Sequence, residues 1–233
     1  ERGLFMINRD SIAKQVYVQL KKIIVLQETP GYKMGDHLNE AAIAAYFKCS
    51  VTPVRECINM LRRDHLIVGD SYKSSLIVTF DSKAVRDLFD VRECLEVWAL
   101  ENAFSKFTPR DIEEMHRAHE RYGLAYENFD EEEIILANAA FHDTIVHRAG
   151  NDLLAEELSG IRDRVSMVRG PIARRRKAGG DRERLMIPVR EHQAIMEGIE
   201  SGNLTKARAA LTTHMERIAN ESCEYYENYV KET

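Results

Sequence analysis

The chain has 233 residues and a formal net charge of −5 at pH 7, and 44% of its residues are hydrophobic. This length fits one large domain or two small ones, with ample apolar content for a buried core. No apolar run approaches the roughly 18 residues that a membrane crossing needs, and residues 1–8 lack the layout of a signal peptide. The four cysteines are scattered without a CxxC pair, which is typical of reduced core thiols in a cytoplasmic protein.

The net charge is unevenly distributed along the sequence. Residues 1–78 carry 11 Lys and Arg against 8 Asp and Glu, a formal charge of +3, and residues 79–233 carry −8. A mildly basic front half suits a module that meets a phosphate backbone, although ordinary surface variation produces offsets of this size too. Charge alone therefore decides nothing about partners.

The first third of the chain predicts three helices and a hairpin. Apolar residues recur at helical spacing over residues 11–26, Asn39 can cap a second helix, and Ser50 or Thr52 can cap a third. Pro53 is tolerated in the first turn of that third helix, because no intrahelical donor is lost there. Two short β-rich runs then flank a polar turn at residues 69–75. Three helices followed by a hairpin is the order of a winged helix-turn-helix.

From Asp81 onward only helical periodicity is found, so the protein is predicted to be mostly α, with a C-terminal antiparallel bundle of about six helices. The predicted spans are 82–105, 109–128, 131–149, 151–170, 182–201 and 203–230. Gly170-Pro171 is interpreted as a helix end, which places the basic tract at residues 174–177 in a solvated loop.

Several motifs resemble the GntR superfamily of transcription regulators. They are Met34 to Glu40, then Ile43-Ala44, then Ser50 to Glu56, whose Thr-Pro-Val-Arg-Glu run is the most specific part. Val91 to Glu96, Phe141-His142, Ala149 to Asn151, Glu191-His192, Gly202 to Leu204 and His214 are similar to that superfamily's FadR-like effector domain, called FCD. The resemblance implies a DNA-binding domain over residues 1–79 and an all-helical effector-sensing domain over residues 80–233.

The sequence departs from this family at several positions. Val51 and Ala41 stand where the family usually has a basic residue, and Ser74 and Ser75 stand where the wing tip usually has Gly. Asn138 occupies the position of an Asp four residues before His142.

The start of the third helix is the predicted DNA-reading surface, since such a helix docks its first turn in the major groove. Arg55 can hold guanine O6 and N7 bidentately, and Ser50, Thr52 and the backbone amides beside Pro53 can donate to phosphates. Lys73 in the wing is a further candidate. A surface ion pair with a neighbour such as Glu56 or Asp64 is the alternative interpretation of Arg55. We expect a homodimer that binds a two-fold symmetric double-stranded operator.

Three histidines lie on apolar faces of three predicted helices: His142, His192 and His214. A lone histidine of this kind is usually a core residue, but three of them can converge in a bundle as a metal site. The resemblance implies a divalent metal held by an Asp and three His, with Asn138 in place of the Asp. Zinc or nickel is the metal expected, although an amide oxygen is a weaker ligand than a carboxylate.

Arg92 shares an apolar stripe with Leu88 and Leu95, which points it inward, where an unpaired cation is costly. It either clamps a carboxylate effector or forms an i,i+4 pair with Glu96. The resemblance favours a small organic-acid effector, and the leading hypothesis is a repressor whose operator affinity that effector switches.

Two alternatives remain at this point. One is a helical metalloenzyme, against which no carboxylate is expected beside the histidines as a general base: Asn138 replaces the likeliest one, and Glu191 points about 100° away from His192 on an ideal helix. The other is a winged-helix protein whose DNA contacts have decayed, as Val51 and Ala41 allow.

Overall fold

The computed structural model describes residues 11–27, 32–69 and 75–232, with side chains described up to residue 228. The chain divides into two compact units, one over residues 1–79 and the other over residues 80–233. Each unit has its own core.

In its described residues, the first unit contains three helices, α1 (Ile12–Leu26), α2 (Glu40–Tyr46) and α3 (Val51–Arg63). Asn39 caps α2, because its side-chain oxygen accepts from the backbone N–H of Ala42 at 3.0 Å. Ser50 stands at the N-cap position of α3 but makes no capping hydrogen bond. Apolar side chains from these helices, among them Leu20, Ile43 and Leu61, are buried together with the hairpin.

The hairpin pairs β1 (Ile67–Val68) with β2 (Leu76–Ile77) in antiparallel register, with Ile67 opposite Ile77. The segment before α2 lies along the other edge of β2, where Leu38 N–H donates to the carbonyl of Ser75 at 2.8 Å. Three helices followed by this hairpin confirm the predicted winged helix-turn-helix.

The second unit is all-helical in the residues that the structure describes. Its helices are α4 (Ser82–Ala103), α5 (Pro109–Asn128), α6 (Glu131–Ala149), α7 (Asp152–Ala178), α8 (Arg182–Leu185), α9 (Ile187–Glu200) and α10 (Leu204–Glu232). A short 3-10 turn, Phe104–Lys106, follows α4. The predicted bundle of about six helices is confirmed, and the four-residue α8 is an additional short element.

Helix packing brings together the faces that carry the predicted site residues. Helix α4 packs against α10 and α6, and α9 packs against α10. The approach of α9 to α10 is close at Gly198, where a Cβ atom would lie 2.5 Å from the backbone N of Ala207. The inward faces of α4, α6, α9 and α10 therefore meet in the middle of the bundle.

The prediction that a helix ends at Gly170-Pro171 is wrong, because α7 continues through the proline to Ala178. Ile172 is buried in the bundle, and Arg174 and Arg176 form ion pairs with Glu131 and Glu221. These tertiary contacts compensate for the hydrogen bond that the proline cannot donate. The basic tract at residues 174–177 is consequently helical and not a loop.

Two smaller expectations also need correction. The predicted helix over 182–201 is divided at Met186 into α8 and α9, with Pro188 in the first turn of α9. All four cysteines are free, but Cys94 is exposed and is no core thiol. Within the described ranges, no helix has both the length and the apolarity that crossing a bilayer demands.

Candidate metal centre and anion cavity

Three imidazoles meet in the core of the second unit. His142 comes from α6, His192 from α9 and His214 from α10, and the relative exposure of each residue is 0%. One ring nitrogen of each histidine lies within 4.8 Å of the others. The convergence that the apolar-face positions allowed is therefore present in the structure.

The Nε2 atoms of His142 and His192 lie 3.2 Å apart. Tetrahedral zinc bound at about 2.05 Å separates two of its nitrogen ligands by about 3.3 Å. The ring of His214 is centred 4.9 Å from that of His192 and 5.6 Å from that of His142. The cluster is already close to the dimensions of a three-histidine metal site.

Carboxylates from neighbouring helices hold the outer nitrogens of two of the rings. Nδ1 of His214 donates to Oε2 of Glu191 at 2.7 Å. Nδ1 of His142 lies 2.6 Å from Oε2 of Glu96, at ion-pair distance but turned from the ideal hydrogen-bond direction. Each carboxylate also binds an arginine, Arg217 and Arg92 respectively. Contacts of this kind fix the ring orientation and leave Nε2 to face inward.

His192 is held by aromatic stacking. Its ring lies parallel to that of Phe141, with centroids 4.2 Å apart and an interplanar angle of 1°, and it stacks on Tyr122 at 4.7 Å on a tilt of 20°. Its Nδ1 atom is buried and has no hydrogen-bond partner. Stacking therefore sets the plane of this ring, while Nε2 meets the other imidazoles.

The surroundings of His192 and His214 favour neutral rings. Burial lowers the pKa of His192 well below its usual value, and the neighbouring His214 and His142 lower it further. Burial also lowers the pKa of His214 to about 4, although Glu191 opposes the shift. Neutral imidazole is the form that coordinates metals, so both rings are ready to act as ligands at neutral pH.

The unpartnered nitrogens fit a metal ion. Nε2 of His214 is buried without a hydrogen-bond partner, and a buried polar atom left in that state is costly. A divalent ion bound to the three Nε2 atoms would satisfy it and would keep a coordination position for a further ligand. The donor set of three imidazoles suits zinc or nickel.

A cavity lies among the helices of the same unit. Its lining combines aromatic and aliphatic residues with several polar or charged groups: Arg92, Tyr122, Tyr126, Glu131, Asn138, Ser166 and Arg169. The three histidines are not among the lining residues, so the histidine cluster and the cavity are separate features, and Arg92 lines the cavity.

Arg92 lines the cavity and is almost completely buried, at 2% relative exposure. Its Nε donates to Oε1 of Glu96 at 2.7 Å, so the i,i+4 pair considered from the sequence is present. Its Nη2 is nevertheless buried without a partner. The arginine therefore retains donor capacity for an anion after pairing with Glu96.

Asn138 lies one helical turn before His142 on α6, is half-buried, and lines the cavity. Arg169 lines it too, and Nη1 of Arg169 donates to Oε2 of Glu221 at 2.7 Å. Two cationic side chains and one carboxylate, that of Glu131, which pairs with Arg174, thus border a cavity whose remaining wall is mostly apolar. A cavity of this kind can hold a small organic anion at its arginines.

Sequence reasoning missed two carboxylates that lie beside the cluster, although neither is placed as a general base. Glu191 does point away from His192, its neighbour on α9, but toward His214 on α10. Glu96 was considered only as a partner of Arg92, although it also contacts His142. The i,i+4 spacing of Arg92 and Glu96 was the available signal. Both carboxylates are engaged by histidine and arginine, which leaves neither as a free general base.

In the first unit, α3 presents an exposed polar face. Its members are Thr52, Arg55, Glu56, Asn59 and Arg63. The Arg55 side chain is 69% exposed, and its Nε donates to Oε2 of Glu40 at 2.7 Å. Arg55 therefore forms a surface ion pair, but its partner is Glu40 and not Glu56 or Asp64, which the sequence suggested. Asn59 on this face was not considered from the sequence, and it accepts a hydrogen bond from Arg62. Lys73 lies outside the described residues.

A winged helix-turn-helix followed by an all-helical unit with a cavity among its helices defines the class of protein: a helix-turn-helix transcription regulator. Residues 87–217 match the FCD domain family. The chain therefore belongs to the GntR transcription regulators with an FCD domain, the FadR-like branch.

Individual relatives agree with this assignment. The chain is 27% identical over 219 residues to the HTH-type transcriptional regulator YdhC of Bacillus subtilis, covering 94% of this chain and 92% of that protein. Its fold is similar to that of Escherichia coli McbR/YncC, with a TM-score of 0.76 at 21% identity, over 94% of this chain and all of that one. A metal-free FCD domain, TM0439, aligns with a TM-score of 0.52 at 24% identity, over 65% of this chain and 99% of that one.

These relatives are transcriptional regulators and not enzymes, which rejects the metalloenzyme alternative. As a transcriptional regulator the protein binds DNA.

Proposed function

We propose that this regulator is a repressor whose operator affinity is switched by a small organic anion, and that a divalent metal in the helical unit supports the response. The observation that carries the proposal is the buried cluster of His142, His192 and His214 beside a cavity lined by Arg92. The N-terminal unit, residues 1–79, would bind DNA, and residues 80–233 would sense the effector.

The metal would be zinc or nickel, bound by Nε2 of the three histidines, with Asn138 as a candidate fourth ligand. The neutral rings of His192 and His214 and the buried, unpartnered Nε2 of His214 support this proposal. An amide oxygen at position 138 contributes no charge, so the centre would be one unit more positive than with the Asp that the family has there. That difference favours an anionic effector.

The effector would be a carboxylate held by Arg92, whose Nη2 lacks a partner in a site of low dielectric constant. A buried guanidinium forms strong, directional hydrogen bonds with a carboxylate. The aromatic and aliphatic lining at Tyr122, Tyr126 and Ile135 would select the organic part of the acid.

At the DNA end, α3 would enter the major groove as part of a homodimer that binds a two-fold symmetric operator. Because Glu40 takes the Nε hydrogen of Arg55, the two terminal nitrogens remain free to bind O6 and N7 of a guanine. Thr52, which is exposed, Ser50 and Pro53 at the helix start, and Lys73 in the wing, would position the helix on the phosphates. As a DNA-binding regulator it would act in the cytoplasm.

A ligand changes DNA affinity only when it binds two states of the protein unequally. An effector at Arg92 would therefore have to favour the state with low operator affinity. The exposed Arg55 and Thr52 argue against a protein whose DNA contacts have decayed, since both side chains remain available for contact.

The test combines metal and effector in one experiment. Chelator-treated full-length protein is titrated with Zn²⁺, and thermal unfolding is then screened against a panel of carboxylates with and without the metal. We expect about one ion per chain and a carboxylate that raises Tm and lowers operator affinity. H214A is expected to lose the metal, while H147A, which alters an exposed histidine on α6, serves as the matched control. Zinc binding that survives in H214A would contradict the site.

A further inference from the structure

We propose that Glu96 couples the anion cavity to the histidine cluster, so that a carboxylate at Arg92 and a metal at the histidines strengthen each other's binding. The inference rests on the proposed metal site and goes beyond it. Glu96 is 1% exposed. Its Oε1 accepts from Nε of Arg92 at 2.7 Å, and its Oε2 lies 2.6 Å from Nδ1 of His142.

One buried carboxylate thus shares a single negative charge between a cavity residue and a candidate metal ligand. The hydrogen bond from Arg92 and the 2.6 Å contact with Nδ1 of His142 both favour the ionised carboxylate. In an interior of low dielectric constant, a change of charge at Arg92 alters the electrostatic energy of His142, and a change at His142 alters that of Arg92.

The sign of the coupling follows from the order of the groups. A metal on Nε2 of His142 makes the Nδ1 hydrogen more acidic and draws the charge of Glu96 toward the ring. Arg92 is then less neutralised and attracts an anion more strongly. In the other direction, an anion on Arg92 weakens its hold on Glu96, which is then free to support His142. Thermodynamic linkage requires the two effects to be equal.

The second carboxylate of the cluster offers a contrast. Glu191 binds Nδ1 of His214 with Oε2, and Arg217 contacts both of its oxygens. Arg217 does not line the cavity. Glu191 therefore has the geometry to orient His214. Glu96 has the geometry to orient His142 and, because it also binds Arg92, to transmit the binding of an anion in the cavity to His142.

A double-mutant cycle on the full-length chain tests the coupling without a known effector. The Zn²⁺ dissociation constant is measured by chelator competition for the wild type, R92M, E96Q and R92M/E96Q. We expect E96Q to weaken Zn²⁺ binding about 10-fold or more. R92M, which removes the competing cation, is expected to tighten Zn²⁺ binding about threefold to tenfold in the wild type and to change it less than about twofold in the E96Q background.

R86M serves as the control, because Arg86 is a half-buried cation on α4 that binds Asn220 and does not contact Glu96. An effect of R92M that is the same with and without Glu96 would show simple charge repulsion and would overturn the coupling. Absence of Zn²⁺ binding in the wild type would overturn the metal site itself, so the two failures are distinguishable.

If circular dichroism shows that R92M does not fold, the variant E96D tests the coupling in its place. Aspartate retains the charge but is one methylene shorter, so it cannot reach both Arg92 and His142. We expect Zn²⁺ affinity in E96D to fall most of the way to that of E96Q. Wild-type affinity in E96D would mean that only the charge matters, and the bridging role of Glu96 would be rejected.

Discussion

Glu191 and His214 stand on adjacent helices with their side chains in contact, Oε2 of Glu191 accepting from Nδ1 of His214 at 2.7 Å. This contact assigns the proton of the neutral ring to Nδ1 and therefore leaves the lone pair on Nε2, the atom that lies toward the other histidines. A carboxylate on the outer face of a ligand histidine raises the basicity of the inner nitrogen.

The contact predicts the effect of E191Q on metal affinity. The amide is a weaker acceptor and holds the ring less firmly, so Zn²⁺ affinity is expected to fall about 10-fold to 100-fold. Isothermal titration of chelator-treated protein measures the change. E197Q is the matched control, since Glu197 is an exposed carboxylate on the same helix that pairs with Lys206. Equal Zn²⁺ affinities in E191Q and E197Q would contradict the role assigned to Glu191.

The close approach of α9 to α10 predicts opposite outcomes for two glycine substitutions. G198A would place a Cβ atom 2.5 Å from the backbone of Ala207, so the helices must separate. We expect a loss of about 1–3 kcal/mol in the free energy of unfolding. G160A meets no atom within 4 Å and lies inside α7, so it is expected to gain about 0.5–1 kcal/mol from helix propensity.

Urea unfolding of both variants checks this pair. A G198A protein as stable as the wild type would show that α9 and α10 are not packed as closely as the structure has them. A destabilised G160A would indicate a contact at that position which the structure does not contain.

Glu221 predicts a pH dependence of stability. Burial would raise its pKa, but Arg169, Arg176 and Arg217 around it lower the pKa below the usual 4.5. The folded state therefore binds the proton less tightly than the unfolded state. The resulting stabilisation is complete above pH 4.5 and is lost as the pH falls through the lowered pKa.

Substitution of the same residue isolates this contribution. E221Q is expected to cost about 2–3 kcal/mol at pH 7, because three partly buried arginines lose their shared anion. The difference between wild type and E221Q in urea-unfolding free energy should shrink below pH 4.5. A difference that stays constant from pH 7 to pH 3 would contradict the assignment.

The Glu40–Arg55 pair predicts how the protein reads DNA. In E40Q the guanidinium of Arg55 is less firmly held, so affinity for the selected operator is expected to fall about fivefold to tenfold. Affinity for random DNA should change little, because the phosphate contacts remain. Fluorescence anisotropy with operator and random duplexes at matched salt measures the ratio. Equal losses of affinity for the operator and the random duplex would show that Glu40 has no role in specificity.

The helix pattern could be predicted from sequence because apolar spacing and capping residues act locally, as Asn39 before α2 shows. The three histidines were also found, since each lies on an apolar face of its helix. The prediction that a helix ends at Gly170-Pro171 was wrong. This dipeptide is a local stop signal, but the burial of Ile172 and the ion pair of Arg176 with Glu221 outweigh it.

The contacts that organise the candidate site were harder to predict because they join distant parts of the sequence. Glu191 meets His214 across 23 positions, and His142 meets His192 across 50. The contact between Glu191 and His214 depends on how α9 crosses α10, and the sequence of α9 alone does not indicate that crossing. The separation of the cluster from the cavity likewise depends on which side chains fill the space between helices.

The most direct measurement is a crystal structure of the zinc-loaded protein with diffraction data collected on both sides of the zinc absorption edge. Our account predicts one anomalous peak per chain, about 2.0–2.1 Å from Nε2 of His142, His192 and His214. Zinc-treated crystals without a peak among these three nitrogens, or with hydrogen bonds between the imidazoles in its place, would contradict it.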